Sequence, residues 1–232
     1  MKIKGIQKTT LIDYPGKIAC TVFIFGCNFK CGFCHNPELV LKEESQDLWE
    51  TDTLEFLKNR KDKLEGVCFT GGEPLLSLNK DFVKRVKDLG FSVKIDTNGS
   101  LPGKLKEFIS EGLVDFIAMD IKNCPEKYSK TAGVEVDLKK IEESIKLILN
   151  SGLEYEFRTT VVPELHDEGD FEKIGKWISS FGEVKKYYLQ AFSNHGKFID
   201  SSYNEVKSLT EKDIEKYVLE CKNYFKGVGV RS

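Results

Sequence analysis

At 232 residues, with 40% hydrophobic and 31% charged side chains, the chain has the composition of a globular protein with a sizeable core. Its 35 basic and 37 acidic residues nearly cancel to a net charge of −2, which argues against nucleic-acid binding as its main business. No apolar run approaches the roughly 20 residues that cross a bilayer, and Met1-Lys-Ile-Lys-Gly lacks a signal-peptide core, so a cytoplasmic location without membrane contact is expected.

The segment from Ile3 to Asp13 is read as an added strand or hairpin. After it, β-branched apolar runs predict strands over Ala19–Phe25, Gly66–Thr70, Ser92–Thr97, Phe116–Ile121, Tyr155–Val162 and Lys186–Phe192. Amphipathic patterns between them predict helices over Thr51–Lys63, Asn79–Leu89, Pro102–Glu111, Asp137–Asn150, Asp170–Phe181 and Thr210–Phe225. Asp170 and Thr210 read as N-caps, the latter with Asp213 as a partial capping box, and Gly90, Gly112 and Gly152 as helix stops. Six strands alternating with six helices imply an α/β fold: a partial (β/α)6 barrel, its parallel sheet open on one side. With no linker and no internal repeat, a single domain over residues 1–232 is expected.

Seven cysteines without an export signal do not suggest a disulfide framework. Cys20, Cys68, Cys124 and Cys221 are scattered singly and read as small buried hydrophobes. Cys27, Cys31 and Cys34 are different, because their C-x3-C-x2-C spacing gathers three thiols in one loop directly after the first predicted strand. Three thiolates around an iron–sulfur cluster leave one iron open, so the loop reads as a reaction centre.

In barrels of this kind chemistry gathers at the C-terminal ends of the strands. The second strand ends in Gly71-Gly72-Glu73-Pro74, the third in Asp96-Thr97-Asn98-Gly99 and the fourth in Met119-Asp120-Ile121-Lys122. The fifth carries Arg158, and the sixth leads to Gln190 and a loop with His195. Each element also has a plainer reading. Gly71-Gly72 and Asn98-Gly99 are turn dipeptides. Asp120 and Lys122 share a face and could be a simple ion pair. Arg158 in a β-branched run calls for a carboxylate, and His195 could be a surface histidine. Together, six strand ends deliver polar groups to one rim.

The four motifs, in this order, closely resemble the radical S-adenosylmethionine (SAM) activases of glycyl-radical enzymes. Thr10-Leu-Ile-Asp-Tyr-Pro-Gly-Lys17 resembles the branch of anaerobic ribonucleoside-triphosphate reductase activating proteins, close relatives of the pyruvate formate-lyase activating enzyme. The resemblance runs from about Gly5 to about His195, with Phe33 supplying the aromatic residue before the last cysteine. It implies an anaerobic oxidoreductase in which Cys27, Cys31 and Cys34 hold a [4Fe-4S] cluster whose fourth iron is chelated by SAM. Gly71, Gly72 and Glu73 would meet the methionyl amino group. Asp96, Met119 and Asp120 match positions around a monovalent cation, and Asn98 belongs to the same cofactor-binding rim. Lys122 and Arg158 match cationic groups near the SAM carboxylate, and His195 a group near the ribose, although its flanking sequence departs from the family's. Reductive cleavage of SAM would yield a 5′-deoxyadenosyl radical that takes an α-hydrogen from a glycine of the partner enzyme, the electron coming from a flavodoxin or ferredoxin. No second cysteine motif lies between Cys34 and Thr51, so a single cluster is expected.

Three other readings compete. The chain could activate pyruvate formate-lyase or another glycyl-radical enzyme, or modify a peptide or small molecule by the same radical chemistry. A structural zinc module of Cys27, Cys31, Cys34 and His35 is a distant third, since adjacent Cys34 and His35 are awkward in one tetrahedron.

Overall fold

Runs of valine, isoleucine and phenylalanine become strands because both of their faces are covered, as a parallel sheet requires. The computed structural model describes residues 1–41 and 48–231; residues 42–47, within the stretch that offers no second cysteine motif, lie outside the described residues. In chain order the elements are β1 (Ile3–Thr10), β2 (Ala19–Ile24), α1 (Pro37–Leu41), α2 (Glu50–Lys58), β3 (Gly66–Gly71), α3 (Lys80–Asp88), β4 (Ser92–Thr97), α4 (Pro102–Ser110) and β5 (Phe116–Asp120). They continue as α5 (Tyr128–Ala132), α6 (Leu138–Asn150), β6 (Glu154–Val161), α7 (Asp170–Ser179), β7 (Tyr187–Ala191), α8 (Glu211–Lys222) and β8 (Val228–Arg231).

The eight strands form one sheet in sequence order, with β1 and β8 at its edges. A sheet that grows strand by strand in one direction is what consecutive right-handed βα crossovers produce. β1 runs antiparallel to β2, as an added N-terminal strand should, while β2–β3, β3–β4, β6–β7 and β7–β8 are parallel. All six predicted βα strands are present. β8, four residues long, lies beyond the last predicted element and was not predicted. Gly227 and Gly229 serve close packing: a Cβ on Gly227 would lie 2.7 Å from the Lys185 carbonyl oxygen, and one on Gly229 would lie 2.9 Å from the Tyr188 ring.

The described chain forms two compact units. The first comprises Met1–Asn28, Glu38–Thr97 and Gly103–Ala118; the second comprises Phe29–Pro37, Asn98–Pro102 and Met119–Ser232. In the first unit α3 buries Phe82, Val83 and Val86, and its N-cap Asn79 accepts a hydrogen bond from the Asp81 amide. In the second, α6 buries Ile141, Ile145 and Ile148 along one face, each contributing about 1.5–3 kcal/mol by leaving water.

Helix signals held with one correction. Thr210 caps α8 in a capping box with Asp213. Asp170, expected to cap α7, is instead its first residue, after Gly169. The Asp170 carboxylate accepts from the Asp167 amide and pairs with Lys127, so it braces the approach to the helix from inside the first turn. Gly90, Gly112 and Gly152 all take left-handed backbone after their helices. α1 and α5, five residues each, are too short for periodicity to reveal.

Candidate active site

The start of the cysteine loop belongs to the first unit, where backbone meets backbone. Strand β2 ends at Ile24, and Gly26 and Cys27 follow. The Gly72 amide donates to the Ile24 carbonyl (2.9 Å), and the Glu73 amide to the Gly26 carbonyl (2.7 Å). A Cβ on Gly72 would sit 2.0 Å from the Gly26 oxygen, and one on Gly71 would sit 2.6 Å from the Ile24 oxygen. Both glycines are therefore needed for contact with the strand that launches Cys27. The Gly72 and Glu73 amides are thus engaged within the protein.

Glu73 is fully buried, and its carboxylate accepts from the Leu75 amide (3.1 Å) and the Thr97 hydroxyl (2.9 Å). It thus ties the Gly71–Pro74 turn to the end of β4, a role that sequence reading did not give to Thr97. Three residues before Thr97 on β4, the ammonium of Lys94 pairs with the Asp96 carboxylate and lies 3.7 Å from the Cys68 sulfur. Sequence reading missed Lys94, although alternation along the strand puts it on the same face as Asp96.

The rest of the loop belongs to the second unit. Its backbone is anchored where the Lys30 amide donates to the Ala132 carbonyl (2.9 Å), at the end of α5. Gly133 follows with φ +69°, and a Cβ there would lie 2.1 Å from the Lys30 oxygen. Downstream, the Asp200 amide donates to the Gly32 carbonyl (3.0 Å), and a Cβ on Gly32 would meet the Tyr203 ring. Phe33 is buried edge-on against Tyr203, ring centroids 6.1 Å apart. Cys31 is buried, which pushes its thiol pKa up; the nearby Lys122 charge works the other way, and Cys34 and Asp120 push it up further. The Cys34 amide closes a turn onto the Cys31 carbonyl (3.0 Å).

Beside this turn lies a charged cluster at the end of β5. Asp120 accepts from Lys122 (3.1 Å) and from the Arg158 Nε (3.0 Å). Burial alone would raise the Asp120 pKa, but the Lys122 and Arg158 charges outweigh it and hold the carboxyl below its usual range. Burial alone would lower the Lys122 pKa, but Asp120 and Cys31 outweigh it and hold the ammonium above its usual range. Arg158, half-buried, has found the carboxylate that its place in a β-branched run called for.

Two further features support this segment. His166 is buried; its Nδ1 accepts from the Val162 amide (3.1 Å), which leaves Nε2 to donate to the Lys122 carbonyl (2.9 Å). Desolvation lowers its pKa, so the ring is neutral and positions Lys122 from behind. Asn98 forms a turn in which its side-chain oxygen accepts from the Ser100 amide (3.0 Å) and hydroxyl (2.6 Å). Gly99 follows at φ +76°, and a Cβ there would lie 2.0 Å from the Met119 methyl carbon. Asn98 and Met119 thus take part in a close-packed turn, and the plainer turn reading of Asn98-Gly99 holds as well.

His195 is exposed and hydrogen-bonds the Ser193 hydroxyl through Nδ1 (3.0 Å). His35 lies against Phe198 and Phe192, ring centroids 4.9 and 6.3 Å away, which gives it a packing role that needs no zinc. None of the seven cysteines forms a disulfide, and Cys20, Cys68, Cys124 and Cys221 are buried as expected.

A loop of three thiols after the first parallel strand, met by a double-glycine turn at the next strand end, marks a known class of enzyme. The sequence profile of the radical SAM superfamily matches residues 21–178, and the chain belongs to that superfamily and, within it, to the glycyl-radical-enzyme activases. A Methanocaldococcus jannaschii protein named as a glycyl-radical enzyme activating enzyme is 31% identical over 99% of this chain and 95% of its own length. The pyruvate formate-lyase-activating enzyme of Clostridium pasteurianum is 27% identical over 94% of this chain and 97% of its own length. Among solved structures, Streptococcus suis SuiB bound to its precursor peptide SuiA shares the fold, with a TM-score of 0.68 at 14% identity. That match covers 91% of this chain and 48% of SuiB, so the chain spans about half of that protein's length.

The family implies a [4Fe-4S] cluster and SAM, and the residues fit them. The three thiols are the soft donors that such a cluster takes, and the half-buried Lys122 ammonium, whose charge is felt at Cys31, suits an anionic centre. Among the described residues no three His, Cys, Asp or Glu side chains converge as a ready-made metal site, so the fit rests on the donor set and its charged neighbour. The monovalent cation expected at Asp96, Met119 and Asp120 fits less well. Asp96 already carries Lys94, and Asp120 carries Lys122 and Arg158.

Proposed function

We propose that this chain, working as one radical SAM domain over residues 1–232, activates a glycyl-radical enzyme, with anaerobic ribonucleoside-triphosphate reductase as its partner. The observation that carries the reading is Lys122: a half-buried ammonium paired with Asp120 at 3.1 Å, whose charge acts on the central thiol of the three-cysteine loop. Cys27, Cys31 and Cys34 would hold the [4Fe-4S] cluster. Gly71, Gly72 and Glu73 would meet the methionyl amino group of SAM through their backbone, and Asp96, Asn98, Asp120, Lys122, Arg158 and His195 would line the rest of the molecule. When bound, cluster and SAM together supply a 5′-deoxyadenosyl radical able to take a glycine α-hydrogen.

The chain's own residues orient and shield. Lys122 and Arg158 keep positive charge where a carboxylate would dock, and Asp120 holds the Lys122 ammonium in its charged form. Phe33 against Tyr203 and the burial of Cys31 exclude water from one side of the loop, as radical chemistry requires. Glu73, fixed by Thr97 and Leu75, has no freedom to swing into the site. A monovalent cation is left out of this reading because both carboxylates have protein cations.

The choice of partner rests on Thr10–Lys17. This segment is a turn in which the Thr10 hydroxyl accepts from the Ile12 and Asp13 amides, and Asp13 accepts from Thr21. Tyr14 is buried against Phe116, while Leu11 and Ile12 stand exposed. A flavodoxin or ferredoxin in the cytoplasm would supply the electron. The test is to mix the reduced protein and SAM, without oxygen, with anaerobic ribonucleoside-triphosphate reductase or with pyruvate formate-lyase. A glycyl-radical doublet in electron spin resonance on the reductase supports the reading. A signal on pyruvate formate-lyase alone reassigns the partner, and none with any glycyl-radical enzyme overturns the activase reading.

A further inference from the structure

Lys94 is the least expected charge in the molecule. It lies inside strand β4, its side chain 1% exposed, in a run where valine or isoleucine would pack without cost. Alternation puts it on the same face as Asp96, and its ammonium contacts the Asp96 Oδ1. Its register partner on β3 is Cys68, whose sulfur is 3.7 Å from the ammonium, and the Phe116 ring centroid is 5.8 Å away. A lysine is kept charged in such a place only by a carboxylate. Asp96, in turn, is a carboxylate at a strand end that the proposed function assigns to the SAM rim.

We propose that the Lys94 ammonium is the resident cation of the Asp96 carboxylate, occupying the place that a bound alkali ion would otherwise take. The inference rests on the SAM-site reading of Asp96 and adds that this chain needs neither Na+ nor K+ to complete the site. Hard cations take oxygen ligands. A thiol and an aromatic ring face are poor ligands for such an ion, but both accommodate an ammonium, the ring through its quadrupole. A covalently attached cation also loses no translational freedom at each binding event and cannot be diluted away. In the second unit, Asp120 is served in the same manner by Lys122 and Arg158.

The test uses the cluster-loaded protein at constant ionic strength in KCl, NaCl or choline chloride, with SAM affinity and melting temperature measured in each. For the unaltered protein both quantities should be the same in all three salts. Lys94→Met keeps the length of the side chain and removes its charge; in choline chloride it should lower the melting temperature by about 6–20 °C. K+ or Na+ should then restore much of that loss, and of the SAM affinity, along a saturable curve. Lys94→Met combined with Asp96→Asn removes both charges and should respond to none of the salts. A saturable K+ or Na+ requirement in the unaltered protein overturns the proposal, as does a Lys94→Met variant equally impaired or unfolded in all three salts. Should the unaltered protein bind no SAM in any salt, the proposed function fails instead, and the melting temperatures still decide the cation question.

Discussion

The cysteine loop is fastened differently at its two ends. At the Cys27 end the fastening is backbone on backbone: Gly71 and Gly72 lie against Ile24 and Gly26, with amide–carbonyl bonds from Gly72 and Glu73. At the Cys31–Cys34 end it is made by distant parts of the chain: the close of α5 through Ala132 and Gly133, and the segment from Asp200 to Tyr203. The first kind of fastening compresses into a short motif, because only glycine permits that approach. The second spreads over about 170 residues of sequence and leaves no motif. A reactive loop can thus be half encoded locally and half by the fold.

Alanine at three glycines breaks the comparison most sharply. Gly72→Ala and Gly133→Ala each drive a methyl group into a carbonyl oxygen and should cost about 3 kcal/mol or more, with loss of iron content in the reconstituted protein. Gly152→Ala meets nothing within 4 Å and pays only for its left-handed backbone, about 1 kcal/mol, with iron content unchanged. Denaturant unfolding and iron analysis on the three variants check this. Equal losses at Gly72 and Gly152 would show that contact with the Cys27 strand does not matter.

Asp120→Asn probes the charge at the other end. It leaves Lys122 without its carboxylate and Arg158 with Glu156 at 3.9 Å, and because the Asp120 side chain is a third exposed, the cost should be about 1–3 kcal/mol rather than the full buried value. SAM affinity, measured on the cluster-loaded variant, should fall as Lys122 loses the partner that orients it. Unchanged affinity would remove the Asp120 cluster from the site.

The smallest effect concerns pH. His166 is buried neutral, with its pKa lowered from the ordinary value near 6.5. Its contribution to stability is therefore complete above about pH 6.5 and is lost as pH falls below it, because the unfolded state takes up the proton first. The slope is at most about 1.4 kcal/mol per pH unit from this group, and His166→Gln should flatten that part of the stability curve. The Cys27 end has no such histidine behind it, so variants at Gly72 should keep the slope of the parent.

How far the sequence reaches follows the same division. The strand runs, the helix stops and the capping box at Thr210 were legible because each rests on a few neighbouring residues. The Cys27–Cys34 spacing, Gly71-Gly72 and the Asp120–Arg158 partnership could be anticipated from strand position and the cost of burying charge. Lys94 could have been found from its place two residues before Asp96, yet an isolated lysine in a strand invites no attention. His166, Gly133 and Tyr203 act through contacts 44–171 residues away in sequence, and nothing in their own neighbourhoods marks them. Asp170 shows the opposite limit: a good capping residue by type, displaced one position because Gly169 takes the left-handed turn.

Electron spin resonance of the anaerobically reconstituted, reduced protein, recorded before and after adding SAM, bears most directly on the central claim. A single cluster with about four iron and four sulfide per chain, its signal altered by SAM in the parent and absent from Cys27→Ala, Cys31→Ala and Cys34→Ala, is the predicted result. No cluster at all, or one whose signal is indifferent to SAM because a fourth side chain completes its coordination, would contradict it.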